Sequence, residues 1–232
     1  MYWYKNIAHK ISVLPSSMSS PQFPISSKSL MVMSSPTDPE LRSTVHGEDA
    51  GKEEDIAWRT AHPYQKPSDD DDFTAEWEGS CHCGNIKYIL SREKPLSSKY
   101  CHCVDCQRMH AAPFQWAAIF HKSDFRFLNG TQGLNFYSPS LRRPLHDLPC
   151  KVYCETCHTP IMDEGRRMIM LFPELLKGIH SQRGKDAFKI GDHICWGGRV
   201  VDEGVFDRDG VRKWKGVDKQ SELLDDGTGG KL

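Results

Sequence analysis

The sequence predicts a mainly β, metal-stapled domain behind a disordered N-terminal extension, and three observations carry that prediction. Short runs of β-branched and aromatic residues recur from Phe73 onward. Turn-forming residues separate them at spacings too short for long helices. Seven of the nine cysteines fall into three tight clusters between Cys81 and Cys157, leaving Cys150 and Cys195 single.

The elements follow in chain order. Residues 1–73 carry Ser/Pro-rich stretches at Ser16–Ser20, Ser26–Ser29 and Ser34–Pro39, and an acidic run at Asp69–Asp72. Such composition lacks an apolar period and is expected to stay disordered. Strands are expected over Asn85–Leu90, Phe114–Phe120, Phe125–Leu128 and Leu134–Tyr137, with Asn129-Gly130 as a hairpin turn. Further strands are expected over Val152–Tyr153, Arg167–Phe172 and His193–Val201, and a short helical turn over Pro173–Gly178. The domain is placed at residues 74–217, with a flexible tail over 218–232.

Charge and hydropathy narrow the function classes. The 232 residues carry a net charge of −1, which gives no global attraction to nucleic acid or a membrane surface. No run reaches the roughly 18 apolar residues of a membrane span, and Met1–Leu14 lacks the apolar core of a secretory signal. The cytoplasm is the expected location. Mitochondrial import is the alternative, since Lys5, Lys10 and Lys28 precede the first acidic residue, Asp38, although arginine is absent there.

In a reducing compartment, paired cysteines point to metal or redox chemistry before disulfides. Cys81, Cys83, Cys154 and Cys157 supply the two pairs that a closed tetrahedral zinc site needs. Four thiolates leave no position for substrate, so this zinc would be structural. Cys101, Cys103 and Cys106 supply only three donors and leave one position open, as a catalytic zinc does. Two alternatives stand beside the open site. Cys103-Val104-Asp105-Cys106 is also a CxxC redox spacing, and His102 or His110 is able to close the metal site. Arg108, directly after the triplet, is a candidate partner for a substrate carboxylate.

These motifs resemble the glutathione-dependent formaldehyde-activating enzymes and their centromere-protein-V relatives. The matching strings are Gly79-Ser80-Cys81-His82-Cys83-Gly84, Tyr100 through Arg108 leading to Ala112-Pro113-Phe114, Phe125-Arg126-Phe127, and Tyr153 through Pro160 with Asp163-Glu164. The resemblance implies an Mss4-like zinc-bound β fold, a structural zinc on the outer clusters and a second zinc on the middle one. It also implies glutathione as co-substrate and formaldehyde as its partner, in a carbon-sulfur lyase acting on a thiol-aldehyde adduct. The alternative function is a non-catalytic zinc module of the centromere-protein-V type. Many members have glycine where this chain has Ala111 and His158. The stretch Ser138–Leu148, with Arg142, Arg143 and His146, is longer and more basic than the usual connection, and is expected to be a lid or a plain loop.

Overall fold

The computed structural model describes residues 57–68, 72–206 and 209–228. The expected disordered extension lies outside the described residues as far as residue 56 and again at 69–71. Among the described residues there are twelve strands and two short α-helices, which makes the domain mainly β. No helix among them is long and apolar enough to cross a membrane.

The strands form two sheets. β1 (Trp77–Ser80), β2 (Lys87–Leu90) and β5 (Phe125–Phe127) make a three-stranded antiparallel sheet. The period-2 alternation of a half-buried strand is visible in β2, where Tyr88 and Leu90 point inward and Lys87 outward. Gly79 of β1 lies opposite Tyr88, and a Cβ there would sit 2.2 Å from the Tyr88 ring. Only glycine permits that approach.

The second sheet has nine strands. Its order is β12 (Leu223–Asp225), β11 (Arg212–Trp214), β10 (Asp192–Ile194), β3 (Ser97–Cys101), β4 (Gln115–His121), β9 (Met168–Leu171), β8 (Pro160–Glu164), β7 (Cys150–Cys154) and β6 (Leu134–Tyr137). Among the described residues only β10 pairs in parallel, with β3 on one side and β11 on the other. Interior strands of a sheet covered on both faces lose alternation. β8 accordingly buries Ile161, Met162, Asp163 and Glu164 in succession.

Three expectations are corrected here. Asn129-Gly130 is no hairpin turn, because β5 pairs with β2 and β6 with β7. The left-handed Gly130 and Gly133, with φ of 61° and 77°, instead carry the chain from one sheet to the other. The strand expected over His193–Val201 ends at Ile194, where Cys195 turns left-handed and Trp196–Gly198 forms a 3₁₀ turn. Residues 218–228 contain β12, paired with β11, and Asp218 forms an ion pair with Lys99 of β3.

Packing also reaches upstream of residue 73. Ala57–Thr60 is a 3₁₀ turn, and Tyr64 beyond it is fully buried. Trp58 stacks on His146 at 3.5 Å between ring centroids, while Tyr64 stacks on Phe127 at 5.6 Å. The Tyr64 hydroxyl donates to Glu164 Oε2 at 2.6 Å. Lys122 Nζ and His146 Nε2 reach the same carboxylate at 2.5 and 2.9 Å. The Ser138–Leu148 stretch is thereby tied to the domain through His146, and Ser138 Oγ donates to Asp147 Oδ2 at 3.2 Å. Arg142 and Arg143 are exposed on its outer side.

Candidate metal centres

The outer cysteines meet as two turns of similar build. Cys81 follows β1 directly, and its sulfur accepts from the Ile86 amide at 3.3 Å. Gly84, with φ of 80°, closes that turn, and its amide donates to the Cys81 carbonyl at 3.1 Å. Cys154 ends β7, and its carbonyl accepts from the His158 amide at 3.0 Å. His158 occupies the position equivalent to Gly84, with φ of 56°. The fold brings Cys81, Cys83, Cys154 and Cys157 together with all four sulfurs within 4.8 Å of one another.

The donor chemistry fits zinc. Zn–S bonds of about 2.3 Å in a tetrahedron place sulfurs about 3.8 Å apart. Cys83 lies 3.4 Å from Cys81 and 3.8 Å from Cys154. Cys157 is drawn down to about 5: burial opposes this, but hydrogen bonds from Thr159 and Cys83 outweigh it. Cys83, which shares the contact with Cys157, is pushed the other way, up to about 12.

The middle cluster is built from a strand end and a helix start. Cys101 closes β3, Cys103 caps α1 (Val104–His110), and Cys106 lies in its first turn. The Cys106 amide donates to Cys103 Sγ at 3.3 Å. All three sulfurs lie within 4.8 Å of one another. Hydrogen bonds from Cys103 and Cys106 lower the Cys101 thiol, while the same contacts raise Cys106.

Neither candidate histidine belongs to that set. His102 is fully buried, and its Nε2 faces His193 Nδ1 at 2.9 Å. His193 Nε2 in turn lies 2.8 Å from Asp209 Oδ2. Burial, reinforced by His193 and Arg199, brings His102 down to about 4. A neutral chain in which His193 donates to Asp209 makes His193 Nδ1 the acceptor of the His102 Nε2 proton. His110 lies against the Phe172 ring, with its Nε2 3.4 Å from Lys151 Nζ. Arg108 is exposed on α1.

Three features were not visible in the sequence. A cavity of about 450 Å³ opens between the end of α1 and strands β6–β8, lined by Met109, His110, Tyr137, Lys151, Tyr153 and His158 among others. Lys151 supplies its cation, with Nζ 2.6 Å from Asp163 Oδ2. Cys195 stands at the end of β3 beside the middle cluster, because Ile194 just before it lies opposite Cys101. Finally, His146, Cys150 and Glu164 form a third group of donors within 4.8 Å. Its carboxylate already serves Lys122 and Tyr64, so this group reads as an internal ion-pair network.

Both positions where many relatives of the resembled family have glycine are left-handed here. Ala111, with φ of 48°, is the C-cap of α1, and His158 was described above. Glycine suits such backbone without a Cβ penalty.

Comparison with known proteins agrees with the motifs. No curated protein matches the chain. Among solved structures, a Rhodobacter sphaeroides protein is 22% identical, covering 49% of this chain and 96% of that one, with a TM-score of 0.37. The family model described as glutathione-dependent formaldehyde-activating enzyme matches residues 76–178. That stretch holds all three cysteine clusters, and over it the chain is similar to the glutathione-dependent formaldehyde-activating enzymes.

Proposed function

We propose that this protein is a zinc-dependent carbon-sulfur lyase that makes and breaks the adduct between a small thiol, glutathione foremost, and formaldehyde. The observation that carries the reading is the unequal pair of thiol clusters, one with four donors and one with three, inside the stretch that the family model matches. Cys81, Cys83, Cys154 and Cys157 would hold a structural zinc, and Cys101, Cys103 and Cys106 a second zinc with one position for substrate. At that position zinc would hold the incoming thiol as thiolate at neutral pH.

The chain's own residues bind and orient. The cavity beside α1 is within the size range of small-molecule sites, and Lys151 is placed to meet a substrate carboxylate there. This assigns to Lys151 a role the sequence suggested for Arg108. His110 is lowered by burial and by Lys151, so it is neutral and available as a hydrogen-bond partner. In the forward direction the thiol sulfur bonds to the aldehyde carbon, the C=O π pair moves to oxygen, and the thiol proton ends on that oxygen. The reverse breaks the C–S bond and returns the proton to sulfur.

The test is Cys103→Ser. Wild-type protein is expected to hold two zinc ions and to accelerate adduct exchange, read by ¹³C NMR of labelled formaldehyde with glutathione. The variant is expected to hold one zinc and to exchange at the uncatalysed rate. Two zincs with unchanged exchange would overturn the proposal.

A further inference from the structure

The middle cluster lacks a fourth protein donor among the clustered cysteines, yet a ninth cysteine is built against it. Strand β10 runs parallel to β3 with Ile194 opposite Cys101, so the next residue, Cys195, emerges at the end of β3 where the cluster begins. The His102 amide donates to the Ile194 carbonyl at 3.0 Å, and the Cys195 amide donates to the Gly216 carbonyl at 3.0 Å. Cys195 is therefore fixed on both sides.

The loop after it is clamped to the helix that carries the other ligands. Gln107 of α1 donates through Nε2 to the carbonyls of His102 and Gly198, at 2.9 and 2.7 Å. Gly198 passes so close that a Cβ there would meet the His102 carbonyl oxygen at 2.6 Å. Cys195 itself is held at φ 54° and ψ 41°, a conformation that side-chain-bearing residues rarely adopt. Strain of this kind, fixed by surrounding contacts, marks positions where the side chain's direction matters.

We propose that Cys195 is a built-in fourth thiolate for the second metal site, closing it at rest and giving way to the incoming thiol substrate. The proposal rests on the second zinc assigned above and adds to it a competitor carried by the chain outside residues 76–178. In the described geometry the donors mutually within 4.8 Å are Cys101, Cys103 and Cys106. Closure requires the Cys195 sulfur, now beside Cys101, to rotate about its Cα–Cβ bond toward the other two. Cys195 would then hold the fourth position until the substrate thiol took its place, one sulfur donor being exchanged for another. The proton released by the substrate would pass to Cys195, leaving the number of thiolate donors unchanged.

Cadmium substitution tests this on the full-length protein, because ¹¹³Cd NMR separates four-sulfur from three-sulfur coordination. The expected wild-type spectrum has two four-sulfur resonances, and Cys195→Ala should move one of them into the three-sulfur range. The same variant should bind its second zinc roughly 10- to 100-fold more weakly in chelator competition. It should also bind glutathione roughly tenfold more tightly, since the competing state is removed. One four-sulfur and one three-sulfur resonance in wild-type protein would overturn the inference while leaving the open-site reading intact. A single cadmium resonance that persists in Cys103→Ser would overturn both.

Discussion

Replacing Tyr64 by Phe isolates one buried hydrogen bond and tests whether residues upstream of 73 belong to the folded domain. Tyr64 is 1% exposed and its partner Glu164 2% exposed, so water cannot substitute for the lost hydroxyl. The bond is short, 2.6 Å, and made to a carboxylate. Hydrogen bonds to charged groups contribute about 1.5–3 kcal/mol. Ring packing against Trp58 and Phe127 is kept in the variant, and Glu164 retains Lys122 and His146. The expected loss is therefore at the lower end, about 2 kcal/mol. For a domain of this size that lowers Tm by about 4–8 °C. Calorimetry at fixed zinc loading is the assay, because metal exchange would otherwise break two-state behaviour. A Tm within about 1 °C of wild type would refute the account, since it would mean that Tyr64 is not engaged with Glu164 in solution.

The same carboxylate sets a pH dependence. Burial opposes ionisation of Glu164, but hydrogen bonds from His146, Lys122 and Tyr64 outweigh it and hold the group below its ordinary value. Its stabilisation is thus present above the unfolded value, about 4.3, and is lost as pH falls through the folded one. The Tm gap between wild type and Glu164→Gln should shrink on titration below about pH 4; a gap that widens there would reverse the sign. Ala111→Gly and His158→Gly should each stabilise the domain. Relief of a left-handed conformation is worth about 1–2 kcal/mol, and glycine's backbone entropy returns about 0.5–1 kcal/mol of it. A net gain of a few tenths to about 1 kcal/mol in urea midpoints at constant m-value is expected, and a loss would show that φ is not positive there in solution.

Much of the architecture was legible because it follows from local pattern. The apolar runs of β4, β6 and β9 and the pairing of the outer cysteines are set by residues close in sequence. β3 was missed for a physical reason. Ser97-Ser98-Lys99 reads as a polar turn, yet Ser98 and Lys99 are buried because β4 and β10 flank them and Asp218 neutralises the lysine. The helix α1 was missed because its seven residues show no apolar period and bury no side chain. Cys195 and the chain from Asp209 through His193 to His102 depend on the parallel β3–β10 pairing, which joins residues more than 90 apart. Sequence spacing carries no trace of such pairings.

The sheet also links the two cysteine centres in a way that constrains how activity losses should be read. Cys101 ends β3 and Cys154 ends β7, with β4, β9 and β8 between them. Across that span, Gln115 of β4 donates to Asp163 of β8 at 3.1 Å, and Asp163 pairs with Lys151 of β7. Lys151 then reaches His110 at the end of the helix that carries Cys106. Lys151 consequently has two duties, facing the cavity and neutralising a buried carboxylate. Removing its charge leaves Asp163 uncompensated, a change that costs about 3–5 kcal/mol for a buried pair. A neutral substitution at 151 would therefore impair folding before it reported on substrate. Arginine at that position keeps the charge but changes its reach, so a rise in KM with unchanged kcat and Tm would separate the binding duty from the structural one.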